Sequence, residues 1–455
     1  MLLQNRLFTG TGLQCKEKLQ KGNTHMKDVK KYSRELLRFI EKSPSPYHGV
    51  RNISDMLTEA GAERLNEAEG WKLEAGKTYF AVRNDSALIA FTMPQGCPKG
   101  FHIVASHCDS PTFKLKEQPE ISVEGQYVKL NVEGYGGMIM SSWLDRSLSI
   151  AGRIVVENKK SGEPLSIPVC VDRDLLVIPN VAIHMNREIN QGVKWNPQID
   201  LQPLFSGQVP GKGENPVSGL LAETAGVKES QIIGQDLFLY VREKGRFLGA
   251  NEEFILSPRL DDLQCAFCGI KAFLEAKPKD FINVYGVFDH EEVGSGSMQG
   301  ADSTFLSDVL ERVVLGMGES REKFLRLLAD SFLLSADNAH AVHPNHPEKS
   351  DPTNRPFLNG GVVLKFHGEQ KYTTDSVSAA KVKLLCKKAG VPCQTFANRA
   401  DTTGGSTLGR ISASHVSIHS ADIGLPQLAM HSAVETAGVK DTAYAVAMLK
   451  AFYEE

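Results

Sequence analysis

Apolar and polar positions alternate through the middle of the chain, between about residues 110 and 245. In YVKLNVE, Val128, Leu130 and Val132 alternate with polar residues, which predicts a strand with one buried face. The runs RIVVE and SIPVCV have the same texture, and we expect further strands in DLLVIPNVAIHM. The middle of the chain is therefore predicted to be rich in β-structure.

The remaining chain alternates apolar runs with helical periodicity, the pattern of an α/β layer fold. Helices are predicted for KDVKKYSRELLRFIEK, for LDDLQCAFCGIKAFLEA and for the C-terminus. In the C-terminal helix Ala445, Met448, Leu449 and Phe452 recur at i, i+3, i+4 and i+7, and Asp441 is a candidate cap. Strands are predicted for the following runs: FHIVASH, FINVYGVF, FLLSAD, VVLKF, CQTFA and HVSIHSA.

These two textures predict one α/β domain built from both ends of the chain and interrupted by a β-rich insertion. We assign 27–110 and 246–455 to the α/β domain and 111–245 to the insertion. The polar, glycine-containing segment 1–26 shows no clear periodicity, so we expect a flexible tail there.

Composition restricts the function classes. The chain has 455 residues, a net charge of -3 and 41% hydrophobic residues, which gives no reason to expect nucleic acid or a membrane as partner. No apolar run reaches the roughly 20 residues that a membrane span needs, and the start lacks the apolar centre of a signal peptide, so a cytoplasmic location is expected. The eight cysteines have no framework spacing, which favours reduced thiols. Cys265 and Cys268 read as small apolar packing residues.

Imidazoles and carboxylates collect where predicted strands end or helices begin. Ligand sites of open α/β sheets lie beyond the carboxyl ends of strands. A set of histidines and carboxylates without thiolates suits Zn²⁺ or a similar divalent ion in a catalytic site, and two ions sharing a carboxylate would use the whole set. The candidates are His107, Asp261, Glu291, Glu292, Asp337 and His431.

Each candidate also has a simpler interpretation. His107 taken alone is a core histidine bonded to Asp109, and Asp261 taken alone is a carboxylate at a helix start. HEEVG is not the H-E-x-x-H motif, because residue 294 is glycine. The loop HAVH, with His340 and His343, either lines a pocket or is simply polar. Taken residue by residue, these simpler interpretations stay open. They weaken together, because all of them would have to hold while several segments end in metal-type ligands.

Eight phrases, in this order, resemble the aspartyl aminopeptidase family of metallopeptidases. They cover nearly the whole chain after about Met26: SPSPYH, SHCDSPTFKLK, YGG followed by SSWLDR, NVAIHMNREIN, SPRLDD, DHEEVGSGS, SADNAHAVHPNH and LPQLAMHS. The resemblance implies an α/β fold in which a three-layer metallopeptidase catalytic domain is interrupted by a β-rich dimerisation domain. It also implies a homo-oligomer, a dodecamer built from dimers, that acts on peptide substrates.

The resemblance also implies a metal centre with two Zn²⁺ per subunit, with Co²⁺ or Mn²⁺ as alternatives. One ion would take His107, Asp337 and a bridging Asp261. The second would share Asp261 and take Glu292 and His431. This assignment uses every candidate except Glu291.

Further roles follow from the same resemblance. Glu291 would be the general base, and Asp109 would orient His107. His343 and Lys365 would lie near the substrate together with the pocket residue His340, and His184 would reach a neighbouring subunit's active site.

The resemblance implies a metal-dependent aminopeptidase that prefers Asp or Glu at the substrate N-terminus. A relative preferring neutral residues such as Leu is the alternative, and a non-catalytic scaffold is a more distant one. His290 and Asp262 depart from the Asn that we expect at these two positions of the family. The extra carboxylate of Asp262 bears on metal preference, and no role for His290 follows from the sequence.

Overall fold

A computed structural model describes residues 29–211, 215–405 and 407–455. The largest of its sheets has nine strands, in the spatial order β1-β2-β3-β13-β4-β14-β18-β16-β17. These strands are β1 (Glu63–Leu65), β2 (Thr78–Arg83), β3 (Ala87–Thr92), β4 (Phe101–His107), β13 (Ile282–Phe288), β14 (Phe332–Ala336), β16 (Val362–Phe366), β17 (Cys393–Ala397) and β18 (His419–Gly424).

The centre of this sheet is parallel, with β13, β4, β14 and β18 side by side. Every residue of β4 and β13 is buried, because helices cover both faces of the sheet, as parallel sheets require. The helices are α1 (29–41), α2 (Pro46–Glu59), α5 (Leu260–Glu275), α6 (Phe305–Gly316), α7 (Arg321–Ala329), α8 (Ser376–Ala389), α9 (Leu408–His415) and α10 (Val439–Tyr453).

Alternate residues of the central strands enter two different cores. Val104 and Tyr285 pack with Leu263 of α5. Ile103 and Val284 pack on the opposite face with Phe305 of α6. The two cores explain why the central strands read as continuous apolar runs in the sequence.

A second, six-stranded sheet is antiparallel throughout, in the order β8-β7-β10-β5-β6-β9. Its inner face forms a separate hydrophobic cluster that includes Phe113, Leu130, Trp143 and Ile150. The sheet and its short helices are β5 (Thr112–Val123), β6 (Tyr127–Tyr135), β7 (Leu148–Glu157), β8 (Pro164–Cys170), α3 (Pro197–Asp200), β9 (Leu204–Ser206), α4 (Pro216–Ala225) and β10 (Ile232–Val241).

A third, five-stranded sheet joins segments from distant parts of the chain, in the order β11-β12-β20-β19-β15. Its strands are β11 (Arg246–Leu248), β12 (Phe254–Ser257), β15 (Ala339–His340), β19 (Pro426–Leu428) and β20 (Glu435–Gly438). The turn between β19 and β20 carries His431, and β12 leads directly into the segment that carries Asp261. This sheet therefore places two of the predicted ligands.

Three details of the sequence prediction are wrong. In DLLVIPNVAIHM the described backbone forms only isolated bridges, at Leu176 and Val177. In HVSIHSA the strand begins only at His419, because buried Val416 packs into the helix-covered core from a loop. Asp441 does not cap α10: Gly438 is at that position, and the Asp441 carboxylate accepts the main-chain N–H groups of Asn359 and Gly361.

The predicted mixed α/β fold is confirmed by the arrangement of these sheets and helices. The division into a catalytic and an inserted dimerisation domain stays a prediction, and the predicted tail, 1–26, lies outside the described residues. No helix in the part of the chain that the structure describes is long and apolar enough to cross a membrane.

Candidate metal centre

His107 is the last residue of β4, at the carboxyl end of the sheet. Its Nδ1 lies 3.1 Å from the main-chain oxygen of Asp109 and 3.3 Å from the Oδ1 atom of that residue. Two acceptors beside Nδ1 fix the tautomer with the proton on that atom, which leaves the lone pair on Nε2. The Nε2 atom lies 3.7 Å from Oδ1 of Asp261, so the free lone pair faces a carboxylate with room for an ion between them.

The two oxygens of Asp261 face two different histidines. While Oδ1 faces His107, Oδ2 lies 3.1 Å from Nε2 of His431. The Oδ1 atom is buried and has no hydrogen-bond partner among the described residues. Glu435 holds both neighbours in place, because its carboxylate accepts the main-chain N–H groups of Asp261, at 3.1 Å, and of His431, at 2.8 Å. A carboxylate presented in this way can bridge two cations.

Glu291 and Glu292 lie in a short 3-10 turn directly after β13. His290 before this turn has φ 61° and Gly294 after it has φ 98°, so the chain leaves the strand through two left-handed residues. Left-handed backbone favours Asn and also accommodates His, which accounts for His290 at a position where Asn was expected. The His290 ring closes the loop through Ser297, whose Oγ lies 2.8 Å from Nδ1.

The turn directs the adjacent glutamates to different partners. Both main-chain N–H groups donate to the carboxylate of Asp109, at 3.2 and 3.1 Å. The Oε2 atom of Glu292 lies 3.4 Å from Nε2 of His431, and its Oε1 is buried without a hydrogen-bond partner among the described residues. Glu291 instead has a carboxylate oxygen in a group with His107 and Glu292.

Asp337 follows β14 directly and completes the cluster. It belongs to a group with His107, Asp261 and Asp262 whose ligand atoms all lie within 4.8 Å of one another. Asp262, the second departure from the family pattern, is fully buried, and its Oδ2 accepts the main-chain N–H of His107 at 3.3 Å. The other oxygen, Oδ1, has no hydrogen-bond partner among the described residues.

Several carboxyl groups of this cluster are costly to ionise. Burial raises the pKa of Glu292 and of Asp262 well above the usual range, and burial together with neighbouring carboxylates raises the pKa of Glu291 to about 7. Burial also raises the pKa of Asp337, although Lys365, with Nζ 3.5 Å from its Oδ2, opposes the shift. Cations would keep these groups ionised.

The residues fit a pair of divalent ions. The buried oxygens of Asp261 and Glu292 that have no hydrogen-bond partner among the described residues could bind a cation, and the donors are imidazole nitrogens and carboxylate oxygens, which suit zinc in a catalytic setting. The structure thus brings together all of the predicted metal ligands and Glu291 around one cavity.

This cavity has a volume of about 290 Å³. Of the predicted substrate residues, Lys365 and His340 line it, while His343 and His184 are exposed and lie outside its lining. Lys365 is 3% exposed and is the single Lys or Arg among the described residues of the lining. Tyr372 and Phe396 form an aromatic part of the wall.

Comparison with known proteins identifies the family. The family model described as aminopeptidase I zinc metalloprotease (M18) matches residues 39–453. The chain belongs to the M18 family. It is therefore a metal-dependent aminopeptidase, a hydrolase of the zinc metalloprotease class.

Relatives and solved structures agree with this membership. The chain is 48% identical to a probable M18 family aminopeptidase 2 of Clostridium acetobutylicum over 432 residues, 94% of this chain and 100% of the relative. It is also similar to a solved structure of the Ape4 and Nbr1 complex, with a TM-score of 0.90, 38% identity, and coverage of 94% of this chain and 86% of that one. The mApe1 dodecamer of S. cerevisiae matches with a TM-score of 0.82 and 27% identity over 94% and 97% of the two chains.

The sequence did not indicate two residues that support this M18 site. Tyr135 donates its hydroxyl to Oδ2 of Asp109 at 2.7 Å, and Glu435 holds Asp261 and His431 as described above. Burial opposes ionisation of Asp109, but its bonds with His107, Tyr135 and the Glu292 N–H keep its pKa below the usual value. The phrase YGG, which begins with Tyr135, was the one feature of the sequence that could have pointed to this residue.

Proposed function

We propose that this M18 aminopeptidase removes Asp or Glu from the N-termini of peptides at a centre of two Zn²⁺ ions. His107 and Asp337 would hold one ion, Glu292 and His431 the other, and Asp261 both. The observation that carries this assignment is the Asp261 carboxylate, whose oxygens face His107 and His431 at 3.7 and 3.1 Å. The bound ions would polarise the scissile carbonyl and lower the pKa of a water.

Glu291 is the proposed general base. Its carboxylate lines the cavity beside His107 and Glu292, where it could take a proton from a water and pass it to the leaving amine. Asp109 supports this role from behind, because it holds the main-chain N–H of Glu291 and one ring nitrogen of His107.

Lys365 supports a preference for acidic residues. Its ammonium group lies in the cavity wall, 5.4 Å from the centre of the Tyr372 ring. A buried cation facing the substrate attracts a carboxylate side chain more strongly than an exposed one would. The opposing observation is that Asp337 lies 3.5 Å from the same Nζ and offsets part of its charge.

A preference for neutral residues such as Leu is the second candidate. Tyr372, Phe396 and Met430 also line the cavity and could contact an apolar side chain. Under this alternative Lys365 would serve only to neutralise Asp337. The two candidates therefore differ in the role of a single side chain.

Hydrolysis of Asp, Glu and Leu aminoacyl substrates by wild-type protein and by Lys365→Met separates the candidates. We expect kcat/KM for Asp and Glu to exceed that for Leu and to fall by about tenfold or more in Lys365→Met, the effect of losing one charge-assisted contact. Lys371→Met is the matched control, because Lys371 donates to the Gly404 carbonyl and does not line the cavity. Faster cleavage of Leu by the wild type would refute the acidic preference. Metal content is measured for every variant.

We also propose a homo-oligomer, with the dodecamer as its form, a dimerising insertion at 111–245, and the cytoplasm as its compartment. The relative described as a dodecamer supports the assembly. So does the loop around His184, where Val181, Ile183 and Met185 are 51%, 46% and 82% exposed.

Light scattering gives the subunit number. Mixing inactive Glu291→Gln with His184→Ala tests whether subunits share sites, since mixed assemblies should regain activity.

A further inference from the structure

A second cavity borders Pro258 and Arg259, two residues before Asp261 of the metal centre. It shares no lining residue with the cavity of the metal centre. Its volume is about 480 Å³. The end of α1 with the following loop, the end of β10 and the Pro258–Arg259 segment surround it. The cavity therefore lies between the α1–α2 loop, the six-stranded sheet and the segment that follows β12.

Most charges that line this cavity have partners. Arg242 pairs with Asp172 at 2.6 Å, and Lys244 pairs with Glu41 at 2.5 Å. Glu243 is engaged by Arg146 and Arg246. These pairs use up the carboxylates of the lining.

Two cations of the lining form no ion pair with a described carboxylate: Lys42, which is exposed, and Arg259. Its guanidinium makes one hydrogen bond, to the main-chain oxygen of Ile40 at 3.2 Å, and its Nε is buried without a hydrogen-bond partner among the described residues. No described carboxylate lies within ion-pair distance, 4.0 Å, of the guanidinium.

The Arg259 side chain is half-buried and its Nε is fully removed from water, and a guanidinium that is desolvated without an anion is costly. Arginine is rarely buried unless it is paired, and the desolvation of a charge is offset only by a counter-charge with good hydrogen-bond geometry. The planar fork of arginine matches the two oxygens of a carboxylate or phosphate. The unmet donors of Arg259 and the open volume beside them therefore fit a ligand that brings its own negative charge.

We propose that this cavity binds a small oxyanion, a carboxylate or phosphate group, on the Arg259 guanidinium. The site differs from the metal centre in its lining and in the sign of its uncompensated charge. Occupancy would also stabilise the turn at Arg259, which has left-handed backbone angles of φ 56° and ψ 35° and leads within two residues to Asp261.

Calorimetric titration of the metal-loaded, assembled protein tests the proposal, with sodium phosphate and sodium succinate as separate probes at constant ionic strength. We expect one anion per chain and a higher melting temperature on binding. Affinity should fall about tenfold or more in Arg259→Gln, which loses a charge-assisted pair, and less in Arg259→Lys. The preferred probe shows whether phosphate or carboxylate is the better ligand.

Two matched variants locate the bound anion. Lys244→Gln removes a paired cation from the same cavity and should leave binding nearly unchanged. Lys365→Met removes the cation of the metal cavity and should also leave it unchanged. Loss of binding in Lys365→Met but not in Arg259→Gln would overturn the proposal, as would the absence of binding by either anion.

Arginine labelling of the wild type covers the case in which Arg259→Gln does not fold. Phenylglyoxal reacts with accessible guanidinium groups, and mass spectrometry locates the modified residue. Saturating anion should protect Arg259 and leave Arg242 as reactive as before. Equal labelling of Arg259 with and without the anion would contradict the proposal.

Discussion

The cavities that border residues 258–261 carry opposite electrostatic imbalances. Among the described residues, the metal cavity gathers Asp261, Glu291, Glu292 and Asp337 against a single lysine, whereas in the neighbouring cavity Arg259 has no carboxylate within ion-pair distance. In the first, buried carboxylate oxygens lack partners, and in the second, a guanidinium nitrogen does. One short segment thus presents a carboxylate to one cavity and a guanidinium to the other.

Removal of the metal should change activity and stability more than any single substitution. We expect a chelator to abolish peptidase activity and to lower the melting temperature, because an ion present at 100 times its Kd stabilises the folded state by about 2.7 kcal/mol. Activity assays and thermal melts before and after added Zn²⁺ measure both. Phosphate binding at Arg259 should survive chelation, and its loss would mean that the two cavities are not independent.

Glu291→Gln and Glu292→Gln should separate catalysis from metal binding at adjacent residues. Glu291→Gln should keep its metal and lose activity by about a hundredfold or more, the usual contribution of a general base. Glu292→Gln should lose metal, because its unpartnered Oε1 and its contact with His431 belong to the ligand set. Metal analysis beside kcat decides the matter. Retained activity in Glu291→Gln would remove it from the proposed mechanism.

Tyr135→Phe should have an intermediate effect. It removes the 2.7 Å hydrogen bond to Asp109 and leaves the two main-chain bonds to the same carboxylate. Supporting contacts of this kind are typically worth about 10- to 100-fold in metal affinity or activity. Chelator competition and kcat provide the measurement, and Tyr127→Phe, on the exposed start of β6, is a control. A variant with wild-type values would assign Tyr135 a packing role alone.

Asp262→Asn should have the smallest effect. It tests how much the negative charge of Asp262 contributes to metal binding. Asparagine keeps an acceptor for the main-chain N–H of His107 but removes one negative charge from the cluster. We expect the loss of metal affinity to stay below the roughly 10- to 100-fold typical of a lost supporting contact, because asparagine keeps the bond to the His107 N–H. Asp441→Asn is a control for a buried carboxylate outside the cluster: both Asp441 oxygens accept main-chain N–H groups, so it should lower the melting temperature and leave metal affinity unchanged. A larger loss would make Asp262 a ligand itself.

The sequence predicted the parts of the structure that depend on local pattern. Apolar runs just before His107, Glu291 and Asp337 predicted buried strands of an α/β fold, and the rule that ligands follow such strands brought these residues together. The pattern failed at HVSIHSA, where Val416 is buried from a loop and not from a strand. Apolar residues mark burial, but they do not say which backbone carries them.

Contacts between residues that are far apart in the chain could not be predicted from the sequence. Glu435 contacts the main chain of Asp261 across 174 residues, and Tyr135 contacts Asp109 across 26. No local spacing encodes such pairs. The same holds for Arg259, because the carboxylates that line its cavity, Asp172 and Glu41 among them, pair with other cations only in the folded chain.

The hydrogen bonds that Glu435 accepts from Asp261 and His431 determine when the site can form during biosynthesis. Domains generally fold as the chain emerges from the ribosome, N-terminal parts first. A nascent chain that stops before His431 carries every other proposed ligand but neither the last ligand nor the carboxylate that sets it beside Asp261. The proposed peptidase centre would therefore stay incomplete until translation has passed residue 435, so unfinished chains would not hydrolyse peptides around the ribosome.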